Sequence, residues 1–184
     1  MSMSAIRPRS WTRSEYEHMV EAGIFGPEDR IELLDGEILE VSPQGSRHAV
    51  GIRLAEEGLR KVSPSGFDVR GQLPIALDDI SEPEPDIAVV RGGPRDYLDQ
   101  HPAEPVLLVE VSESSLPHDR LRKLRAYARN SVPEYWIVNL REERVEVHRD
   151  PVDEAYTSMQ ILSDGDHIQP LYAGQPIPVA DLLP

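Results

Sequence analysis

Two carboxylates stand where a soluble chain least tolerates them. Asp86 closes the acidic, proline-broken stretch "EPEP" and opens directly onto "IAVV". Glu110 interrupts "PVLLVEVSES", which otherwise reads as a buried strand. Glu is almost never fully buried unless paired, so this one needs a partner or a task. Strand alternation puts Leu108, Glu110 and Ser112 on one face, with Val109 and Val111 on the other. Read singly, Glu110 fits an edge strand facing water, and Asp86 fits a turn ending before a strand. Read together, at the ends of adjacent strands, they make a hard anionic oxygen site. Such a site suits Mg²⁺ or Mn²⁺, keeps several waters and leaves positions open for phosphate oxygens. A cation nearby would complete it, by orienting a water or stabilising charge on a phosphoryl group.

The elements around the pair must hold it in place. "WTRSEYEHMVEAG" has the capping-box spacing of Thr12 and Glu15 and ends on Gly23, which predicts a short helix. In "RIELLDGEILEVSP", Asp35-Gly36 between two apolar runs predicts a hairpin. "SRHAVGIRLAEEGLRKV" reads as a helix with Val50, Leu54 and Leu59 near one face. "FDVRGQLPIAL", "PDIAVV" and "PVLLVEVS" read as strands. "PHDRLRKLRAYARN" reads as a helix with a stripe of Leu121, Leu124 and Ala128. "PEYWIVNLREERVEVHRD" gives two further strands, and Asp164-Gly165 suggests a last hairpin in "YTSMQILSDGDHIQP". The order predicts an α/β (α+β) fold: one central mixed sheet flanked by helices, with an N-terminal helix and hairpin.

The 184 residues suit one domain, and no linker or repeat divides 1–184. With 19 basic and 33 acidic side chains the formal charge is −14, which argues against loose, non-specific nucleic-acid binding but leaves room for a local basic patch. No Cys is present, so thiolate sites and disulfides are excluded. Neither an apolar leader core nor an 18-residue apolar run occurs, and a cytoplasmic protein that does not enter membranes is expected. No G-x-S-x-G elbow supports a serine hydrolase.

The pair "PD" at 85–86, the strand carrying "EVS" at 110–112 and a following helix with Lys123 resemble the PD-(D/E)XK nuclease superfamily. The stretch "VEVSESSLPHDRLRKLRAYARNSVPEYWIVN", with "IELLDGEILEVSP" and His48 soon after, is similar to one branch of it, the Uma-two family (domain of unknown function 820) of restriction endonucleases. The likeness spans about residues 10 to 180, and the order of the motifs is more specific than any of them alone. It implies a restriction-endonuclease-like core and a Mg²⁺-dependent (or Mn²⁺-dependent) endonuclease cutting DNA. Asp86 and Glu110 would hold the ion with the Val111 carbonyl, and Lys123 would serve the attacking water or the transition state. The third position of the superfamily's E-x-K is Ser112 here, so the lysine would come from the next helix. On a regular α-helix, Lys123 lies off the Leu121 stripe, on a flank shared with Tyr127. A solvated surface lysine is the alternative.

Other candidates are Glu32, either a further site carboxylate or an outward strand residue, and His48, either a phosphate contact or a structural cap. Arg120, Arg122, Arg125 and Arg129 could steer a nucleic-acid backbone or pair with surface acids. Tyr135 and Trp136 read as core, and His101, His118, His148 and His167 lack zinc-ligand spacing. The competing expectation is a nuclease-like homodimer without catalysis, kept as a nucleic-acid or protein interaction module. A homodimer is expected in either case.

Overall fold

Helix α1 (Arg13–Glu21) begins where Thr12 Oγ1 accepts the Glu15 N–H at 3.2 Å and Glu15 Oε2 accepts the Thr12 N–H at 3.0 Å. It ends where Gly23, at φ 68°, lets the Ile24 N–H reach back to the Met19 carbonyl at 3.0 Å. Strands β1 (Ile31–Leu34) and β2 (Glu37–Glu40) form an antiparallel hairpin. Asp35 and Gly36 both take positive φ, 54° and 76°, as a tight two-residue turn demands. The computed structural model describes residues 7–26, 28–41 and 43–184.

After α2 (Ser46–Val62) come the strands of the main sheet: β3 (Phe67–Gly71), β4 (Ile87–Arg91), β5 (Leu107–Ser112), β6 (Glu134–Asn139), β7 (Arg144–Val152) and β8 (Ala155–Ser163). They lie side by side in chain order, and every neighbouring pair is antiparallel except β5 with β6. A parallel pair needs a crossover. Here it is a helical run of α3 (Leu116–His118), a π-helical segment (Asp119–Lys123) and α4 (Leu124–Arg129).

Alternation along the strands divides the core in two. Val89, Val109, Val111, Trp136 and Val138 meet α2 and the C-terminal segment. Ala88, Leu108, Tyr135 and Ile137 face the crossover helix. Helix α2 lies close on the sheet because Gly51 faces it: a Cβ there would stand 3.0 Å from Val111 Cγ1. The result is the expected α/β architecture, a central six-stranded mixed sheet between helical layers.

Four details differ from the sequence reading. The buried face of α2 is Gly51, Ile52, Ala55, Gly58 and Leu59, whereas Val50 is exposed, because the small residues permit the close approach. On the crossover helix, Leu121 is 63% exposed, and Leu116, Asp119, Lys123 and Tyr127 turn inward. The π segment bonds i→i+5, so its wider turn shifts the face that an α-helix would present. Strand β3 stops at Gly71, where Gln72 takes φ 51° and Pro74 follows. The turn at Asp164-Gly165 does not make a hairpin on β8. Instead β9 (His167–Ile168) pairs with β10 (Ile177–Pro178), because Ile168 and Ile177 both enter the core under α2.

Candidate active site

The register of β4 on β5, with Ile87 opposite Val109, sets Asp86 beside Glu110 on the face covered by the crossover helix. Asp86 Oδ2 accepts the Val111 N–H at 2.8 Å and lies 3.3 Å from His48 Nε2, in the first turn of α2. Glu110 Oε1 accepts both the Lys123 ammonium at 3.0 Å and the Tyr127 hydroxyl at 2.7 Å. Its other oxygen takes no protein donor among the described residues. Lys123 Nζ also reaches Glu32 Oε2 at 3.2 Å, and that oxygen accepts the Glu84 N–H at 3.1 Å. Thus Glu32 from β1, His48 from α2, Asp86 just before β4, Glu110 from β5 and Lys123 from the crossover helix line one cleft of about 430 Å³.

Ser112 shares this face but turns to Asp119: its hydroxyl, like that of Ser115 at 2.7 Å, donates to Asp119 Oδ2. Asp119 is a member that sequence reasoning missed. Nothing in "SLPHDRL" marks it, since only the helix packing turns it inward. His118, placed among the scattered histidines, stands 3.8 Å from Glu32 Oε1. The basic stretch is spent on acids. Arg120 binds Glu146 at 2.9 Å, Arg122 binds Glu37 at 2.9 Å, Arg129 binds Asp78 and Asp35 at 3.0 Å each, and Arg125 binds Glu154. Tyr135 and Trp136 are buried in the core.

Glu32, Asp86, Glu110 and Asp119 are each at most 8% exposed, and Lys123 is the cation buried among them. Burial pushes the Glu110 carboxyl well above its ordinary range. Lys123 pulls it down, while Asp86, Asp119 and Glu32 push it further up. The like charge of Asp86 acts in the same direction as burial, and burial is the larger cause. Burial is also the largest influence on Glu32 and works against its charge, but the charge and hydrogen bond of Lys123, with those of His118 and the Glu84 N–H, together outweigh it and bring the carboxyl down to about 2. Burial opposes charge on Lys123 too, yet Glu110, Glu32, Asp119 and Asp86 together drive its pKa up, so it stays an ammonium. His48 is raised, first by its bond to Asp86.

Among the described residues, no three His, Asp or Glu side chains already surround one point as a closed metal cage would. The nearest approach to a hard-ion donor set is Asp86 with Glu110. Because the N–H and C=O of an extended residue point to the same flank, Val111 turns its carbonyl towards the Asp86 side as well.

The sequence model of the family described as "Uma2: Putative restriction endonuclease" matches residues 13–179. This chain belongs to that family. Among solved structures, this Uma2 chain is similar to the crystal structure of a "putative nuclease belonging to DUF820" from Anabaena variabilis ATCC 29413. The two share a TM-score of 0.73 at 16% identity over 95% of this chain and 97% of the other. At that identity the likeness concerns the fold. No curated protein matches the chain. No helix among the described residues of the Uma2 chain is long and apolar enough to cross a membrane.

Proposed function

We propose that this Uma2 protein is a Mg²⁺-dependent endonuclease that hydrolyses phosphodiester bonds in DNA. The observation that carries the reading is a charge deficit at an open cleft: four buried carboxylates share one buried lysine. Buried charges persist when paired or when they coordinate a metal, and oxygen donors of this kind suit Mg²⁺ or Mn²⁺. The residues fit the ion. Asp86 is aimed by the Val111 N–H, Glu110 keeps one oxygen clear of protein donors, and the Val111 carbonyl faces the same flank. Asp86, Glu110 and Val111 would hold it, and the ion would stabilise the negative charge that develops on the phosphoryl oxygens.

Lys123 then acts as an electrostatic group. The surrounding carboxylates hold Lys123 as an ammonium, a form that suits charge stabilisation and not proton abstraction. It donates to Glu110 and pairs with Glu32 at 3.2 Å, which leaves donor capacity for an oxygen in the cleft. Glu32 and Tyr127 position the lysine and Glu110, His48 steadies Asp86, and Ser112 serves through Asp119 rather than touching substrate. A homodimer would give two sites for two strands. Support for it is the free edge of β8, where Met159 and Ile161 are 52% and 49% exposed.

The test is cleavage of varied DNA and RNA substrates with Mg²⁺ or Mn²⁺, beside an Asp86→Ala control. Metal-dependent cutting of DNA that the control lacks is the expected result. Cutting that survives in the control would overturn the site. The net charge of −14 favours a second reading, a nuclease-like interaction module without catalysis. Nucleic-acid or protein binding without cutting in either metal would support that reading.

A further inference from the structure

A second, larger cavity of about 750 Å³ runs along the free edge of β3 and meets the carboxylate cleft at Gln44 and Gln72, which line both. Arg70 stands inside it. The register pairs Arg70 with Ala88, and the Gln72 N–H binds the Asp86 carbonyl at 3.1 Å. Arg70 therefore shares the sheet face of Asp86 and Glu110, one strand over. It is only 8% exposed, yet among the described residues its guanidinium makes no hydrogen bond or ion pair, and its Nε is buried without a partner. Its guanidinium carbon lies 5.4 Å from the ring centre of Tyr97, whose hydroxyl is anchored on the Arg91 carbonyl.

An unpartnered arginine this deep is unexpected in a chain with 33 acidic side chains. Burying a charge without a counter-ion is costly, and a cation–π contact offsets only part of that. Two acids line the same cavity: Glu56 is bound to Arg60 at 2.7 Å, and Asp68, two residues along β3, makes no ion pair with Arg70. The missing group is an anion from outside. Arg53, exposed on α2, lines the same cavity and also has no ion pair among the described residues. At the junction, Gln72 holds φ 51°, a left-handed backbone that a non-glycine residue rarely adopts without a local reason.

We propose that the β3-edge groove binds the phosphodiester backbone of the nucleic-acid strand that enters the carboxylate cleft. Arg70 takes a buried phosphate, Arg53 takes an outer one, and Tyr97 fixes the plane of the Arg70 guanidinium. A guanidinium held in plane is suited to two-point recognition of phosphate oxygens. This groove rests on the nuclease reading above and adds to it the path of the strand.

The test compares the parent with Arg70→Met and Arg53→Ala, using fluorescence anisotropy of a labelled DNA oligonucleotide across a salt series without divalent ions. Hydrolysis of the same oligonucleotide and of bis(p-nitrophenyl) phosphate is then followed with Mn²⁺. The small diester is too short to reach from the cleft into the groove. Each variant should weaken oligonucleotide binding roughly tenfold and flatten its salt dependence by about one phosphate contact. Turnover of the small diester should stay at the parental value. Arg70→Met should also melt no lower than the parent, since it removes a buried, unpaired charge. The exposed position of Arg53 keeps the test valid should Arg70→Met fold poorly. Parental affinity and salt slope in both variants, or no oligonucleotide binding by the parent, would overturn the groove. Arginine-dependent binding with no cleavage of either substrate would sustain the groove and sink the nuclease reading instead.

Discussion

Asp86→Asn and Lys123→Met should move stability in opposite directions, and a divalent ion should separate them further. The side-chain amide introduced by Asp86→Asn would keep an oxygen for the Val111 N–H, now 2.8 Å away. The loss is then that of a charge-assisted bond becoming a neutral one, about 1 kcal/mol. Against it stands relief of repulsion with Glu110. At a cross-strand spacing of about 5–6 Å and an effective dielectric of about 20, two ionised carboxylates repel by about 3 kcal/mol, and by less in proportion as the raised pKa of Glu110 keeps it protonated. The metal-free variant should thus melt at or above the parent. Lys123→Met leaves Glu110 and Glu32 without the ammonium now at 3.0 and 3.2 Å, and removing one partner of a buried pair costs about 3–5 kcal/mol. For a chain of this size each kcal/mol is worth roughly 2–4 °C in melting temperature. Lys123→Met should therefore melt roughly 6–20 °C lower. Mn²⁺ at about a hundred times its Kd should stabilise the parent by about 2.7 kcal/mol, or roughly 5–10 °C, and leave Asp86→Asn unmoved. Thermal unfolding of all three proteins with and without Mn²⁺ measures every term. A parent indifferent to Mn²⁺, with Asp86→Asn melting several degrees lower, would mean that the acids are structural partners and not a metal site.

Mn²⁺ affinity should rise with pH, because binding requires Glu110 to ionise from its raised pKa and gains as His48, also raised, loses its proton and its hold on Asp86. Titration calorimetry in buffers of different ionisation heat should record proton release, and a flat pH profile would refute it. Gly51→Ala would set a Cβ 3.0 Å from Val111 Cγ1 and 3.3 Å from Leu140, so a loss of about 1–3 kcal/mol in denaturant unfolding is expected. Light scattering at micromolar concentration should give twice the 20.7 kDa chain mass, and a monomer mass would remove the dimer.

The pairing of Asp86 with Glu110 was legible because both its parts were local: a carboxylate opening one strand, and another breaking the apolar run of the next. Period-two alternation correctly turned Glu110 and Ser112 to one face, and the Asp35-Gly36 turn and the Thr12 box formed as the residue types dictate. The crossover helix was less legible, because a π turn leaves no mark in residue type. A 3.6-residue period therefore favoured Leu121 over the polar line of Asp119, Lys123 and Tyr127. Asp119 and His118 entered the cleft by the same route. Arg70 escaped notice for a different reason. A lone arginine in a strand carries no signal until the tertiary structure leaves it buried without a counter-ion.

The arginines that fasten the crossover helix imply a division of labour in stability. Arg122 and Arg125 tie it to Glu37 and to Glu154, and Arg129 ties it to Asp78 and Asp35, through groups between about a quarter and two-thirds exposed, whereas Glu110 belongs to the middle of the sheet. Exposed pairs of this kind fade within a few hundred millimolar salt, and buried apolar contacts do not. Rising ionic strength should therefore loosen the helix that carries Lys123 while the sheet stays folded. Amide hydrogen exchange would then quicken first across 116–129 and last in β5 and β6. The chemistry of this chain would be tuned by electrolyte at a point remote from any contact with substrate.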